Sequence, residues 1–85
     1  MRRVVVYSKD GCHLCEKVIS ELEKMRQVEN FDLTTRDITE DSELYERYKH
    51  LIPLVSVDGT LKLAGSALSN PAVLRRRLER AIMGE

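Results

Sequence analysis

No apolar run in this chain approaches the roughly 20 residues that cross a bilayer, so no membrane-spanning helix and no membrane partner are expected. Net charge is also missing: 14 Lys and Arg residues balance 14 Asp and Glu residues. That removes any general attraction to nucleic acid or to anionic lipid. The sequence shows no internal repeat, no low-complexity stretch and no linker-like segment. With 85 residues, one domain over 1–85 is the expectation. Its core is too small to enclose a large cofactor, so function should sit on the surface or in a shallow groove. Cysteine is scarce. Only Cys12 and Cys15 are present, with two residues between them. Small secreted scaffolds carry several bridges that close long loops, and a lone close pair staples little. In a cytosolic chain the same spacing points to redox chemistry or to metal binding.

What is present describes a soluble globular domain. Apolar residues make up 42% and charged residues 33% of the chain, which is too apolar for disorder. The start, Met1-Arg2-Arg3 followed by Val4-Val5-Val6-Tyr7, faintly resembles a secretory leader. Its apolar stretch is shorter than the roughly 7–15 residues such a leader needs. It reads instead as the first strand of a cytoplasmic protein.

That strand, Arg3 to Ser8, has no polar alternation among its valines, which predicts burial on both faces. Asp10-Gly11 breaks it. From Cys15 the apolar residues Val18, Ile19, Leu22 and Met25 follow at spacings of 3, 1, 3 and 3, a helical stripe. The helix is expected from Cys12 or His13 to about Gln27. Phe31 to Ile38 reads as a second strand. Thr39 and Asp41 are N-cap candidates for a short helix ending near Lys49 or His50, with Leu44, Tyr48 and Leu51 on its buried side. Ile52 to Val57 is a third strand beginning around Pro53. Asp58-Gly59 signals a hairpin turn into Thr60–Ala64, which alternates cleanly. Gly65 to Ser69 reads as a loop. Asn70-Pro71 supplies an N-cap and first-turn proline for a last helix, with Leu74, Leu78, Ala81 and Ile82 inward. Arg75, Arg76, Arg77 and Arg80 face water; the first three read as a solvated face or, alternatively, a partner-docking patch. The order β-α-β-α-β-β-α opens with a βαβ unit, whose strands should be parallel. It closes with an antiparallel hairpin. The fold class is therefore α/β, a mixed four-stranded sheet with helices on its faces.

This order places Cys12 after a strand and a turn, at the start of a helix. Free backbone N–H groups there favour anions, so a thiolate should be stabilised and the thiol pKa of Cys12 lowered. The thiolate is the species that attacks disulfides. Cys15 lies one turn further in and heads the buried stripe. Position alone thus makes Cys12 the nucleophile and Cys15 the resolving thiol. Metal binding is the weaker reading, because structural zinc takes four ligands and only His13 and His50 could join the cysteines. A plain structural pair is the remaining alternative. His13 either assists the thiolate as imidazolium or is an exposed helix-start residue. Lys9 either attracts an anionic substrate or is a solvated turn lysine. Glu16 complements the helix dipole. Tyr7 reads as packing. Pro53 is either a strand-start proline or a cis proline beside the cysteines that leaves the Ile52 backbone free for an incoming peptide.

The segment Val4 to Cys15, ending Gly11-Cys12-His13-Leu14-Cys15, together with Leu51-Ile52-Pro53 and Asp58-Gly59, resembles the glutaredoxin branch of the thioredoxin-like superfamily. It looks most like small bacterial and archaeal glutaredoxin-like proteins, and the likeness runs over nearly the whole chain. The resemblance implies a thioredoxin-like (glutaredoxin-type) fold with strand order 2-1-3-4, a cis Pro53, attack by Cys12 and resolution by Cys15. It also implies substrate-binding roles for Lys9, at the position of a lysine that holds a glutathione carboxylate, and for Ile52, whose backbone holds the cysteinyl part. His13 and Leu14 replace the family's proline and aromatic between the cysteines. Gly65-Ser66-Ala67 stands where the family has paired glycines and an acidic residue, which opens a thioredoxin-type protein dithiol as an alternative reductant to glutathione. The expectation is a monomeric dithiol–disulfide oxidoreductase with no tightly bound cofactor and no metal site. Its substrates would be disulfides of proteins or small molecules. An iron–sulfur or metal carrier and a non-catalytic interaction domain are the readings from other classes.

Overall fold

A computed structural model describes residues 1–84. Strand β1 (Arg2–Ser8) leads through a turn into helix α1 (His13–Arg26), and β2 (Phe31–Asp37) follows. A 3-10 turn at Ile38–Glu40 and helix α2 (Ser42–Tyr48) lead to β3 (Leu54–Val57) and β4 (Thr60–Ala64). A second 3-10 turn, Ser66–Ser69, precedes α3 (Pro71–Ile82). The sheet order is β2-β1-β3-β4. β1 and β2 are parallel, and β3 runs antiparallel to both β1 and β4. The α/β class and the 2-1-3-4 order are those expected.

The helices form where their stripes and caps dictate. Cys15, Val18, Leu22 and Met25 of α1 and Leu74, Leu78 and Ala81 of α3 are buried. All of these but Cys15 meet Val4, Val6, Val55, Val57 and Leu63 from one face of the sheet in a single core. Asn70 caps α3, its side-chain oxygen accepting from the N–H of Ala72 at 3.0 Å, with Pro71 in the first turn, where its missing N–H costs nothing. Asp58 and Gly59 both have positive φ, 52° and 85°, as the tight turn between twisted strands requires.

Several expectations change. β1 is paired on both edges, but only one of its faces is fully buried: Val4, Val6 and Ser8 are covered while Val5 and Tyr7 are half-buried. The second face is served by α2, whose seven residues extend only about 10 Å. Tyr48 of α2 meets Tyr7 at a ring-centroid distance of 5.4 Å, yet no residue of α2 is buried. Leu51, expected inward, is exposed. Ile38 belongs to the 3-10 turn and not to β2, because the Asp37 carboxylate accepts from the Thr39 N–H and hydroxyl and bends the chain out of the strand. β3 begins at Leu54, after Ile52 and Pro53. β4 does not alternate: a bulge between Val55 and Ser56 shifts the register at Lys62, and only Leu63 is buried. The stretch read as a loop contains a 3-10 turn whose Leu68 is completely buried in the core.

Candidate active site

The site is built at one end of the sheet. After Ser8 the chain turns, with the Cys12 N–H donating to the Lys9 carbonyl at 3.3 Å. Gly11 holds φ +78° in that turn, at the third position, where a type II turn calls for glycine. The turn delivers Cys12 to the N-cap of α1, with extended backbone. Its carbonyl accepts the first helical bond, from the Glu16 N–H at 3.0 Å. Its sulfur accepts from the Cys15 N–H at 3.3 Å. A cysteine therefore occupies the place usually held by Ser, Thr, Asp or Asn, and its sulfur receives one of the N–H groups that a helix start leaves free. That group and the helix dipole stabilise negative charge on Cys12 once the pair is reduced.

The two cysteines are unequal. Cys12 is half-buried, whereas Cys15 is only 1% exposed. They are joined as a disulfide with their Cα atoms 5.3 Å apart. This pair at disulfide distance, set where a strand and turn lead into a helix, supports a redox function.

The other expected site residues fall around this point. Tyr7 pairs with Leu54, so one further step along the strands brings Pro53 level with Ser8, just before the turn that carries Lys9. The Ile52–Pro53 peptide bond is cis. Pro53 is buried, and its carbonyl accepts from the Gly65 N–H at 3.0 Å. Lys9 is half-buried and takes part in no ion pair among the described residues. His13 points into solvent, 90% exposed, with Nδ1 3.6 Å from a Glu16 carboxylate oxygen. It borders an open groove lined also by Glu16, Lys17, Ser20, Ser69 and Pro71. Among the described residues no group of three His, Cys, Asp or Glu side chains is placed to hold a metal ion.

Three features were not anticipated from the sequence. The Tyr48 carbonyl accepts from both the Leu51 and the Ile52 N–H, at 2.8 and 3.2 Å, so the Ile52 N–H already has a partner. The Gly65–Pro53 bond fastens the second 3-10 turn to the proline. Leu14 and Leu51 are exposed apolar residues, at 36% and 46%, adjoining Cys15 and Ile52. Only Leu14 carried a readable signal, since it lies off the buried stripe of α1. The backbone bonds have no side-chain signature.

Comparison with known proteins agrees with the fold. Among curated proteins nothing matches the sequence. The solution NMR structure of protein Ne2328 from Nitrosomonas europaea is 28% identical, with a TM-score of 0.66 over 74% of this chain and 76% of that one. A mutant thioredoxin from Halobacterium salinarum, 17% identical, superposes with a TM-score of 0.67 over 92% of this chain and 72% of its own. Thioredoxin from Trypanosoma brucei brucei, 19% identical, gives 0.65 over 98% and 76%. These two thioredoxins share the fold. The family model described as Glutaredoxin-like domain (DUF836) matches residues 3–82, and the chain belongs to that family.

Proposed function

We propose that this protein is a cytoplasmic dithiol–disulfide oxidoreductase that reduces disulfides of proteins or small molecules. The observation that carries the reading is the inequality of the two sulfurs: Cys12 is half-buried at a helix N-cap, and Cys15 is buried behind it. In the reduced protein the Cys12 thiolate attacks one sulfur of a substrate disulfide. A mixed disulfide forms, and the other substrate sulfur leaves as a thiolate. Cys15 then loses its proton and attacks the Cys12 sulfur. The second substrate thiolate departs, and the 12–15 disulfide closes. Two electrons have moved from the protein dithiol to the substrate, all between sulfurs, so no tightly bound cofactor is needed.

Lys9, His13, Ile52 and Pro53 are the proposed substrate contacts. Lys9 supplies a cation beside the turn that leads to Cys12. The Ile52 carbonyl accepts no backbone hydrogen bond among the described residues, so it offers an acceptor to an incoming peptide N–H. Glutathione or a thioredoxin-type dithiol returns the two electrons. Lys9 favours the carboxylate of glutathione, while Gly65-Ser66-Ala67 carries no acidic side chain to hold its amino end.

The test is to trap the intermediate. The Cys15→Ser variant, reduced and mixed with a disulfide substrate, should accumulate a covalent adduct at Cys12. Cys12→Ser should form none at comparable speed. Equal adduct formation by both variants would overturn the assignment of roles.

A further inference from the structure

The sheet has two edges, and they are built differently. β4 is broken by a bulge and carries Lys62 at the break, two devices that discourage another strand from pairing. β2 has neither. It pairs with β1 through seven consecutive residues without a register shift, and it contains no proline or lysine. Its outer edge therefore offers a regular row of backbone groups. Asp32, Thr34, Thr35 and Arg36 along it are all exposed.

Two of the three charges on this strand, Asp32 and Arg36, complement each other when two copies pair antiparallel. Asp32, Thr34 and Arg36 share a face, because side chains alternate along a strand. Antiparallel pairing of two β2 strands centred on Thr34 sets Asp32 of each copy opposite Arg36 of the other, and Thr34 opposite its own equivalent. Parallel pairing in register would set like charges against each other. Within one chain the two charges lie about 13 Å apart along an extended strand and cannot meet. Neither forms an ion pair among the described residues, and Arg3, the register partner of Asp32 on β1, makes none with it.

We infer that β2 is a docking edge for a second copy of this chain, giving a two-fold symmetric dimer with one continuous eight-stranded sheet. A two-fold interface needs this kind of self-complementary patch. The sequence alone reads as a monomer because pairing of like strand edges leaves no apolar signature. β1 and β2 run in the same direction, so antiparallel docking sends the two Cys12 sites to opposite ends of the joined sheet. Both stay open to substrate. A seven-residue strand edge buries less than a standard interface, so the dimer is weak and concentration-dependent.

Sedimentation of the oxidised protein tests this, because the 12–15 disulfide leaves no free thiol to cross-link copies. The expected result is a monomer–dimer equilibrium that moves to dimer toward millimolar protein. Asp32→Arg turns both cross-strand pairs repulsive and should weaken association by about tenfold or more. Combining it with Arg36→Asp restores opposite signs and should recover the dimer. Circular dichroism of each variant confirms that these exposed substitutions leave the fold intact. A monomer at every concentration overturns the proposal, and so does a dimer indifferent to the charge reversal.

Discussion

Leu68 and Leu61 lie seven residues apart, and only the folded structure tells them apart. Leu61 belongs to a strand expected to alternate, yet it is 45% exposed. Leu68 belongs to a stretch expected to be a loop, yet it is fully buried beneath the 3-10 turn that follows Gly65. Truncating a fully buried leucine to alanine costs about 2–5 kcal/mol, the spread reflecting how far the site can collapse. The whole domain is held by roughly 4–13 kcal/mol if it follows the usual range per residue. Leu68→Ala should therefore remove a large share of the stability. At about 4–8 °C per kcal/mol for a chain of this size, Tm should fall by about 8 °C or more. Leu61→Ala should stay within about 0.5 kcal/mol of the parent, as surface changes do. Thermal and urea unfolding of the oxidised variants, followed by circular dichroism, give both numbers. Because Gly65 bonds to the Pro53 carbonyl, Leu68→Ala should also slow disulfide exchange by loosening the turn that fastens the proline. Equal costs for the two leucines, or a larger one at Leu61, would refute the reasoning.

Asn70→Ala removes the acceptor for the Ala72 and Val73 N–H groups and should cost about 1 kcal/mol, read as a lower urea midpoint at unchanged slope. Gly11→Ala meets no atom within 4 Å, so its cost of roughly 1–2 kcal/mol comes from the positive φ alone; Gly11→Asn, which tolerates that region better, should cost less in the same unfolding assay. The Asp58 carboxyl is held below the ordinary value of 3.8, first by the Arg3 backbone N–H and then by the Arg2 guanidinium. Its stabilisation is present in full above that ordinary value and is lost as pH falls through the lower folded value. Asp58→Asn should therefore flatten the acid limb of stability against pH below about 4, and carboxyl NMR titration should show Asp58 ionised at lower pH than a free aspartate.

Much of the fold was readable because its strongest signals are local. α1 and α3 each bury one stripe against the same sheet face, so their apolar spacing survives into the structure. The Asp58-Gly59 turn and the Asn70-Pro71 helix start rest on backbone demands that few residues meet. α2 was harder: it lies over the sheet without burying any residue, so the spacing of Leu44, Tyr48 and Leu51 did not mark a covered side. In β4 the alternation assumed an unbroken ladder, and the bulge at Lys62 cancels it. Leu68 was hidden among small polar neighbours that look like a loop. The centre of the site was legible for the same local reason, since Cys12 and Cys15 follow a strand, a turn and a helix start. Its rim depends on contacts between distant backbone groups, such as Tyr48 with Ile52 and Gly65 with Pro53, which no side chain advertises.

Redox titration in a glutathione buffer, with thiol state read by mass spectrometry, tests the central claim most directly. The account predicts a single reversible transition in which Cys12 and Cys15 gain or lose two electrons together, with the logarithm of the dithiol-to-disulfide ratio rising by one for every 30 mV or so of more reducing potential. Cysteines that oxidise independently, or a pair that never closes to the 12–15 disulfide, would contradict it.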